Sequence, residues 1–444
     1  MFFGPVARRI RLNAVFVGAL VVTSCLGPRL SAQIDAFEEE PIEYSKTRPR
    51  DLIARLQRRI QLGYWRPRRD VSDVEFLREL LRELKVPESS QVLVFSKTSQ
   101  QNPRISPRTP RAIYFSDDCY VGWVQGGAIE LTGIDPQLGP IFWVLDISDA
   151  KKQLKFDRDG SCLLCHAGSR TRRTPGLIVR SVFPNRQGFP IFSASSFLST
   201  HASPFEERWG GWYVTGTHGS QRHMGNVIAK RDERGVSVDR EAGANVESLD
   251  SYFNTSRYLA KTSDIVALMV LEHQVAVQNV LTRASYRTRQ AVRYQRDLED
   301  GLGRETSSIL SGSSKRIVDA AARELCDVLL FRNEAKLEGR VRGTRAFRED
   351  FSKRARRSLT GTSLRDLELR SRLFRYRLSY LIYSKSFDQM PDPLKERVVG
   401  RIRQVLSGQD SSGRYDYIGV EERGEITAIL TVTKPELVRA RVGS

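Results

Sequence analysis

Four short apolar runs decide the fold of the middle of the chain: QVLVFS (91–96), AIYFS (112–116), CYVGWV (119–124) and IFWVLDI (141–147). They are rich in β-branched and aromatic residues, and the stretches between them contain Pro, Gly, Asn and Asp. This combination is typical of β-strands joined by turns. The runs therefore predict a small, mostly antiparallel sheet.

Further runs extend the β-rich pattern toward residue 216. GLIVRSVF (176–183) and FPIFS (189–193) flank PNRQG (184–188), which has the composition of a turn, so the three together predict a hairpin. GGWYVTG (210–216) predicts one more strand.

Helical periodicity marks the regions on both sides. Apolar residues recur every three to four positions in 51–63, 72–87, 263–293, 314–331, 363–384 and 392–406. The segment 421–434 predicts a last, weaker helix. Ser72 and Ser263 are expected to be N-caps, and Asp392 followed by Pro393 is the pairing expected where a helix begins.

These elements predict an α+β protein with three parts after a leader segment. Residues 33–150 form an N-terminal α+β region with helices and the small antiparallel sheet, residues 151–235 form a β-rich segment, and residues 236–444 form a C-terminal helical domain. A chain of 444 residues has the length for two or three folded parts, since domains run to about 100–200 residues.

Residues 1–32 have the layout of an export signal. Three arginines between positions 8 and 11 precede an apolar run at 14–22, which is too short to span a bilayer, since spanning takes about 20 residues. The run ends in VTSC, where Cys25 resembles the modified cysteine of a bacterial lipoprotein, while cleavage after Ala32 is the alternative. Both predict an exported protein, in the periplasm or anchored in a membrane facing it.

The chain is strongly basic, with a formal net charge of +19 at pH 7. Such a charge suits an acidic redox partner protein, an anionic membrane surface or nucleic acid. Because the leader predicts export, nucleic acid is not expected as a partner. The expected partners are an acidic redox protein and a membrane surface, which the protein would reach through its basic face or a lipid anchor.

The stretch DGSCLLCHAG (159–168) contains Cys162, Cys165 and His166 in a chain with only five cysteines and five histidines. C-x-x-C-H is the attachment signature of c-type haem. The two thiols are spaced so that each can add to one vinyl group of a porphyrin, and the adjacent imidazole can bind the iron. One such motif predicts one covalently attached haem c.

By this motif the chain resembles c-type cytochromes, a resemblance that covers five residues. It implies thioether bonds from Cys162 and Cys165 and an axial iron ligand from His166. The segment 151–235 would then be the haem-binding part of the protein. Export agrees with it, because apocytochromes acquire haem outside the cytoplasm.

Two other chemistries use the same residue types. A zinc site could use Cys162, Cys165 and His166, but structural zinc sites have a second ligand pair at similar spacing, and the sequence offers none. A dithiol redox pair would be expected at a helix N-terminus in a βαβ unit. Cys119 and Cys326 lie far apart along the chain and are expected either to pair or to be two buried thiols.

The second axial ligand of the iron is left open by the sequence. GTHGSQRHMGN (216–226) concentrates candidates, of which Met224 is preferred, with His223 and His218 as rivals. His273 is a further candidate on a predicted helix, and the absence of any protein ligand is another possibility.

Basic and aromatic residues near the motif are candidates for contact with the rest of a haem. Arg170, Arg172 and Arg173 follow the motif closely and could bind the two propionates. Trp209 and Trp212 could form a wall of the porphyrin pocket. A solvated basic loop and ordinary core packing are the alternatives for the arginines and tryptophans, respectively.

Three functions fit these observations. The first is a monohaem c-type electron-transfer protein, which cycles one iron between its ferric and ferrous states. The second is a haem enzyme or sensor whose open distal site takes peroxide or a small gas, for which peroxidase-type activity is possible. The third is an exported scaffold whose motif holds zinc or a dithiol. Electron transfer is preferred over catalysis, and no catalytic residue is assigned.

Overall fold

The structure is a computed structural model, and it describes residues 1, 35–149, 153–233 and 235–439. The expected leader, with Cys25, lies outside the described residues except for Met1. Ala36–Ser444 forms one compact unit, and both expected boundaries, at 150 and 235, lie inside it. The unit has the α+β fold expected from the sequence.

A seven-stranded antiparallel sheet lies at the centre, as the apolar runs predict. The strands of the described residues, inside and outside this sheet, are β1 (Val92–Val94), β2 (Arg111–Phe115), β3 (Cys119–Trp123), β4 (Ile129–Asp135), β5 (Gly139–Leu145), β6 (Phe156–Arg158), β7 (Arg180–Ser181), β8 (Phe197–Leu198), β9 (Trp212–Tyr213), β10 (Lys230–Asp232) and β11 (Gly235–Ser237). The sheet has the order β6-β5-β4-β3-β2-β1-β9, and β7 pairs with β8 and β10 with β11 outside it.

In the sequence order of the described residues, two α-helices precede the first strand, one short α-helix lies between β6 and β7, and the remaining α-helices follow the last strand. The α-helices are α1 (Leu52–Gln61), α2 (Asp73–Glu83), α3 (Leu163–His166), α4 (Ile265–Gly301), α5 (Gly312–Leu329), α6 (Arg345–Lys353), α7 (Lys385–Asp388), α8 (Asp392–Leu406) and α9 (Val420–Thr433). The expected helices at 51–63, 72–87, 263–293, 314–331, 392–406 and 421–434 are confirmed. Asp392 is the first helical residue of α8 rather than its cap, a difference of one residue.

Both faces of the sheet are buried, and strand β1 shows which core covers each face. Consecutive residues of a strand point to opposite faces. Val92 and Val94 of β1 belong to a core that includes α4 and the C-terminal helices. Leu93, between them, belongs to a second core with α1 and α2. This double cover explains why the strands are apolar runs rather than alternating sequences.

The hairpin expected at 176–193 is much shorter than predicted. Pro184 and Pro190 form one isolated antiparallel bridge, and the longer pairing joins β7 to β8 instead. Proline has no N–H to donate, so neither side can extend a ladder through these positions.

The prediction of a helix over 363–384 is wrong. The segment consists of turns, with a 3₁₀ helix at Tyr380–Tyr383 as its regular element. The carboxylate of Glu368 accepts hydrogen bonds from the backbone N–H groups of Arg370, Ser371 and Arg372. Leu369, in the left-handed region with φ 61°, completes this turn. A side chain that binds its own backbone competes with the helix ladder.

Ser72 caps α2 as expected, but Ser263 does not cap α4. The N-cap is Asp264, whose carboxylate accepts from the backbone N–H of Ala267. The hydroxyl of Ser263 instead donates to the Tyr213 carbonyl at 2.6 Å and accepts from the Leu93 N–H at 2.9 Å. It thereby joins the start of α4 to strands β1 and β9.

Helix α4 is the central helix of the unit, and it packs against α5 and the sheet. By length and hydropathy it could cross a membrane, but 89% of its most apolar window is buried inside the protein. A helix that is apolar on most of its circumference is expected where other elements surround it. Its position against the sheet provides one wall of the site described next.

Candidate functional site

The C-x-x-C-H motif lies on two successive short turns after β6. A 3₁₀ turn at Gly160–Cys162 leads directly into α3, and the Asp159 carboxylate caps the first turn by accepting from the Ser161 N–H at 2.8 Å. Residues three apart on a helical turn lie on the same side. The local structure therefore presents Cys162 and Cys165 in the same direction, next to His166.

All three motif residues line one cavity of about 160 Å³. Its other walls come from the sheet, from the segment 177–179, from β9 and from α4. Twelve lining side chains beyond the motif are aliphatic or aromatic: Ile113, Tyr120, Leu131, Phe142, Trp143, Val144, Leu177, Ile178, Val179, Trp212, Leu271 and Val275. Six are polar or charged: Thr98, Ser99, Gln100, Arg111, Glu130 and Thr132. A mostly apolar lining with a few polar groups is typical of ligand pockets.

His166 is oriented by a backbone hydrogen bond. Its Nδ1 lies 2.8 Å from the carbonyl oxygen of Gly176, and a carbonyl can only accept, so Nδ1 carries the proton. Burial lowers the pKa of this imidazole, which keeps the ring neutral. In a neutral ring protonated at Nδ1, the lone pair lies on Nε2, the state required of a metal-binding histidine. The ring also packs against Phe142, with 4.5 Å between centroids.

Both motif cysteines are free thiols. Cys162 is half-buried and Cys165 is exposed. Burial, together with the nearby carboxylates of Asp159 and Glu130, raises the pKa of Cys162 to about 11. Cys162 is therefore a neutral thiol at pH 7, unlike the activated thiolates of dithiol redox enzymes.

The preferred distal candidate, Met224, lies away from the cavity-lining residues. Its side chain is fully buried, and its sulfur lies 3.8 Å from the Ser181 hydroxyl, which donates to it. Its backbone N–H donates to the carbonyl of Arg208. In this arrangement Met224 fills a gap in the core.

The histidines of the same stretch form a buried aromatic group with Trp209. The rings of His218 and His223 have centroids 4.7 Å apart, and His223 lies 5.2 Å from Trp209. His223 accepts from the Gly225 N–H and His218 from the Asn245 N–H. Burial lowers the pKa of both imidazoles. Neither lines the motif cavity.

His273 belongs to a different buried group on α4. Its Nδ1 lies 3.3 Å from the Nδ1 of His201, its Nε2 lies 2.8 Å from the Ser379 hydroxyl, and its ring stacks on Phe331. It too is absent from the cavity lining. The structure thus groups His166 with the two cysteines and leaves the four distal candidates elsewhere.

Of the basic and aromatic candidates, one lines the motif cavity and the others do not. Trp212 lines the cavity, and its indole N–H donates to the Arg180 carbonyl at 2.8 Å, whereas Trp209 does not line it. Arg170 and Arg173 are exposed beyond the motif. Arg172 forms an ion pair with Glu324.

Sequence reasoning missed several residues that shape the site. Arg111 on β2 and Glu130 on β4 form an ion pair across the intervening strand β3 in the cavity wall. Phe142 and Gly176 contact the ring of His166. The Pro175-Gly176 pair was the one local signal, since it marks a turn close to the motif. The other three lie in ordinary strand sequence.

The described residues hold no group of three or more His, Cys, Asp or Glu side chains placed to bind a metal ion. Cys119 and Cys326 are each buried and unpaired, so the alternative of two buried thiols is confirmed over a disulfide between them. Comparison of the chain with protein-family models, with curated proteins and with solved structures finds no match.

Proposed function

We propose that this protein binds one haem covalently as haem c and transfers single electrons outside the cytoplasm. Cys162 and Cys165 would hold the porphyrin through thioether bonds, and His166 would bind the iron. When bound, the haem supplies a one-electron Fe(III)/Fe(II) couple. An acidic redox protein and an anionic membrane surface are the partners that the basic chain would favour.

One observation carries this proposal. Two free thiols and a neutral imidazole, with Nδ1 bonded to a backbone carbonyl, line the same mostly apolar cavity. The cysteines provide free thiols for addition to vinyl groups, and the Gly176 carbonyl orients the imidazole. The aromatic and aliphatic side chains of the cavity would contact part of the porphyrin ring, since a volume of about 160 Å³ is below the usual range of ligand pockets.

The donor set suits haem better than zinc. A structural zinc site needs about four protein ligands, whereas haem brings its own four nitrogens and needs one or two from the protein. Here Cys162, Cys165 and His166 would have to supply three zinc ligands from adjacent positions.

Export is part of the proposal, because haem c is attached outside the cytoplasm. The proposal for residues 1–32 is a cleaved signal or a lipoprotein signal modified at Cys25, and the two place the protein in the periplasm or on a membrane facing it.

The test is a mass measurement on protein made with its leader in a host that exports apoproteins and attaches haem c. The peptide containing Cys162 and Cys165 should carry the added mass of haem, and the colour should survive acid extraction. Cys162→Ala combined with Cys165→Ala should abolish the added mass, while Cys326→Ala, which removes a thiol remote from the motif, should keep it. An unmodified motif peptide from exported wild-type protein would refute covalent haem binding.

A second candidate function, binding of peroxide or a small gas at the iron, is favoured by a specific observation. Met224, His218, His223 and His273 all have other contacts and do not line the cavity. A low-spin spectrum that becomes high-spin in Met224→Ala, and not in the buried control Met390→Ala, would support the electron carrier. A high-spin wild-type spectrum unchanged by Met224→Ala would support the second function.

A further inference from the structure

A second groove, of about 430 Å³, lies beside the motif cavity. The two share the lining residues Leu177, Ile178, Val179 and Val275. The groove is bounded by the loop after the motif, by residues 198–202, by α4, and by the last two turns of α5 with the residues that follow it. Its volume falls in the range of small-molecule sites.

The polar wall of this groove has more positive than negative charge. Arg170, Arg172, Arg283 and Arg332 line it, against the carboxylates of Glu324 and Asp327. Asp327 is bound by Arg414 and by the Tyr415 hydroxyl, so its charge is already compensated.

Glu324 is shared by three guanidinium groups. Arg172 lies 2.8 Å from one of its carboxylate oxygens, Arg283 lies 2.5 Å from the same oxygen, and Arg287 lies 3.8 Å from the other. One carboxylate neutralises one of these three charges. The remaining positive charge has a local electrostatic field that attracts anions.

Arg283 is a partly buried cation of this group. Its side chain is 12% exposed, and its Nη2 donates to the Glu324 carboxylate. Burial lowers the pKa of this guanidinium, and the neighbouring charges of Arg172 and Arg287 add to the effect. A partly buried guanidinium that shares one carboxylate with two others is costly unless an anion balances the remaining charge.

The groove also has aliphatic lining residues. They are Leu177, Ile178, Val179, Leu198, Val275, Ala276, Val280 and Val328. Guanidinium groups and aliphatic side chains lining one groove fit a ligand that has a carboxylate at one end and an apolar body at the other.

We propose that this groove binds the carboxylate of an amphipathic organic acid, with Arg172 and Arg283 as the donors. The carboxylate could come from a free organic acid or from a propionate of the haem bound in the adjoining cavity. The second source rests on the proposed function, and the first does not. Arg170, close behind the motif, lines the same groove and adds to its positive charge.

The experiment is a calorimetric titration with octanoate of the full chain in its haem-free form, made as the Cys162→Ala and Cys165→Ala double variant. Saturable binding is expected, at least tenfold tighter than that of octanol, which has the same apolar body without the charge. Arg172→Gln, at an exposed side chain, and Arg283→Gln should each weaken octanoate binding at least tenfold. Arg316→Gln removes an equal charge from an exposed position on α5 outside the groove, and should change it less than twofold.

Repeating the titration with haem-loaded protein separates the two sources. Octanoate binding that persists identifies a site for a free acid, and binding that is lost indicates that a propionate occupies the groove. Failure of haem attachment would refute the proposed function and leave the haem-free titration intact. No saturable octanoate binding to haem-free protein up to about 10 mM, or equal binding by the double variant with and without Arg172→Gln, would overturn the site.

Discussion

Asn279 on α4 holds the segment that orients His166. Its side-chain oxygen accepts from the Leu177 N–H and its side-chain nitrogen donates to the Leu177 carbonyl, both at 2.8 Å. Gly176, the preceding residue, provides the carbonyl that binds the Nδ1 of His166. Asn279→Ala should therefore lower the stability of the protein and loosen the orientation of the imidazole.

The expected magnitude follows from the two hydrogen bonds. Each contributes about 1 kcal/mol net, and the Leu177 N–H and C=O that lose their partners are half-buried, which adds part of a desolvation penalty. The free energy of unfolding should fall by about 2–3 kcal/mol. Urea titration followed by far-UV circular dichroism measures this as a lower midpoint at unchanged slope.

Gln290→Ala is the matched control on the same helix. Its side chain makes one exposed hydrogen bond, to the Ala36 carbonyl, so its removal should cost less than about 0.5 kcal/mol. If Asn279→Ala lost no more stability than Gln290→Ala, the two bonds to Leu177 would not be holding the segment. An unchanged haem absorption spectrum in the loaded Asn279→Ala protein would show that the lost stability leaves the orientation of the imidazole intact.

Two further predictions concern the stability of the scaffold. Ser72→Ala removes the capping box that Ser72 forms with Glu75 and should cost about 1 kcal/mol by urea titration, whereas Ser311→Ala, at an N-cap without a side-chain bond, should cost close to nothing. Burial raises the pKa of Glu334, which accepts from the Leu373 N–H, to about 7, so the folded state keeps a proton that the unfolded state has lost above about pH 4.5. Stability should therefore fall as pH rises from about 4.5 to 7, and Glu334→Gln should reduce this slope; an identical slope in the variant would contradict the assignment.

The sheet could be predicted from the sequence because its strands are buried on both faces. Runs such as CYVGWV (119–124) and IFWVLDI (141–147) combine apolar character with turn residues on either side, and β3 and β5 fall within them. The helices α1, α2 and α5 could be predicted for a related reason, since each buries one stripe of its surface and repeats it at helical spacing.

The segment 363–384 could not be predicted by the same rule. Its apolar residues recur at helical spacing, but the turn around Glu368 and Leu369 takes the backbone out of the helix. Leu364, Leu373 and other apolar side chains of this segment are buried all the same. Periodicity reports which side chains need burial, and an irregular segment that lies in a core can meet that need without forming a helix.

The candidate site shows the same division between local and distant information. Cys162, Cys165 and His166 lie within five residues of sequence, so their spacing alone predicts a haem-attachment motif. The groups that contact and orient the His166 ring are the carbonyl of Gly176, 10 residues further along the chain, and the ring of Phe142 on strand β5. No local pattern connects them, because they meet only when the sheet and the loop after the motif fold together.

Under the proposed function, maturation would depend on this long-range packing. The cavity wall comes from strands β2 to β5, from the segment 177–179 and from α4, so the cavity is complete only after these distant parts have packed. The motif itself lies on a short turn at the edge of that cavity, with Cys165 exposed and the preceding Asp159 cap made locally. Haem attachment to an incompletely folded chain would therefore meet accessible thiols, and the later packing of Asn279 on α4 against Leu177 would orient His166.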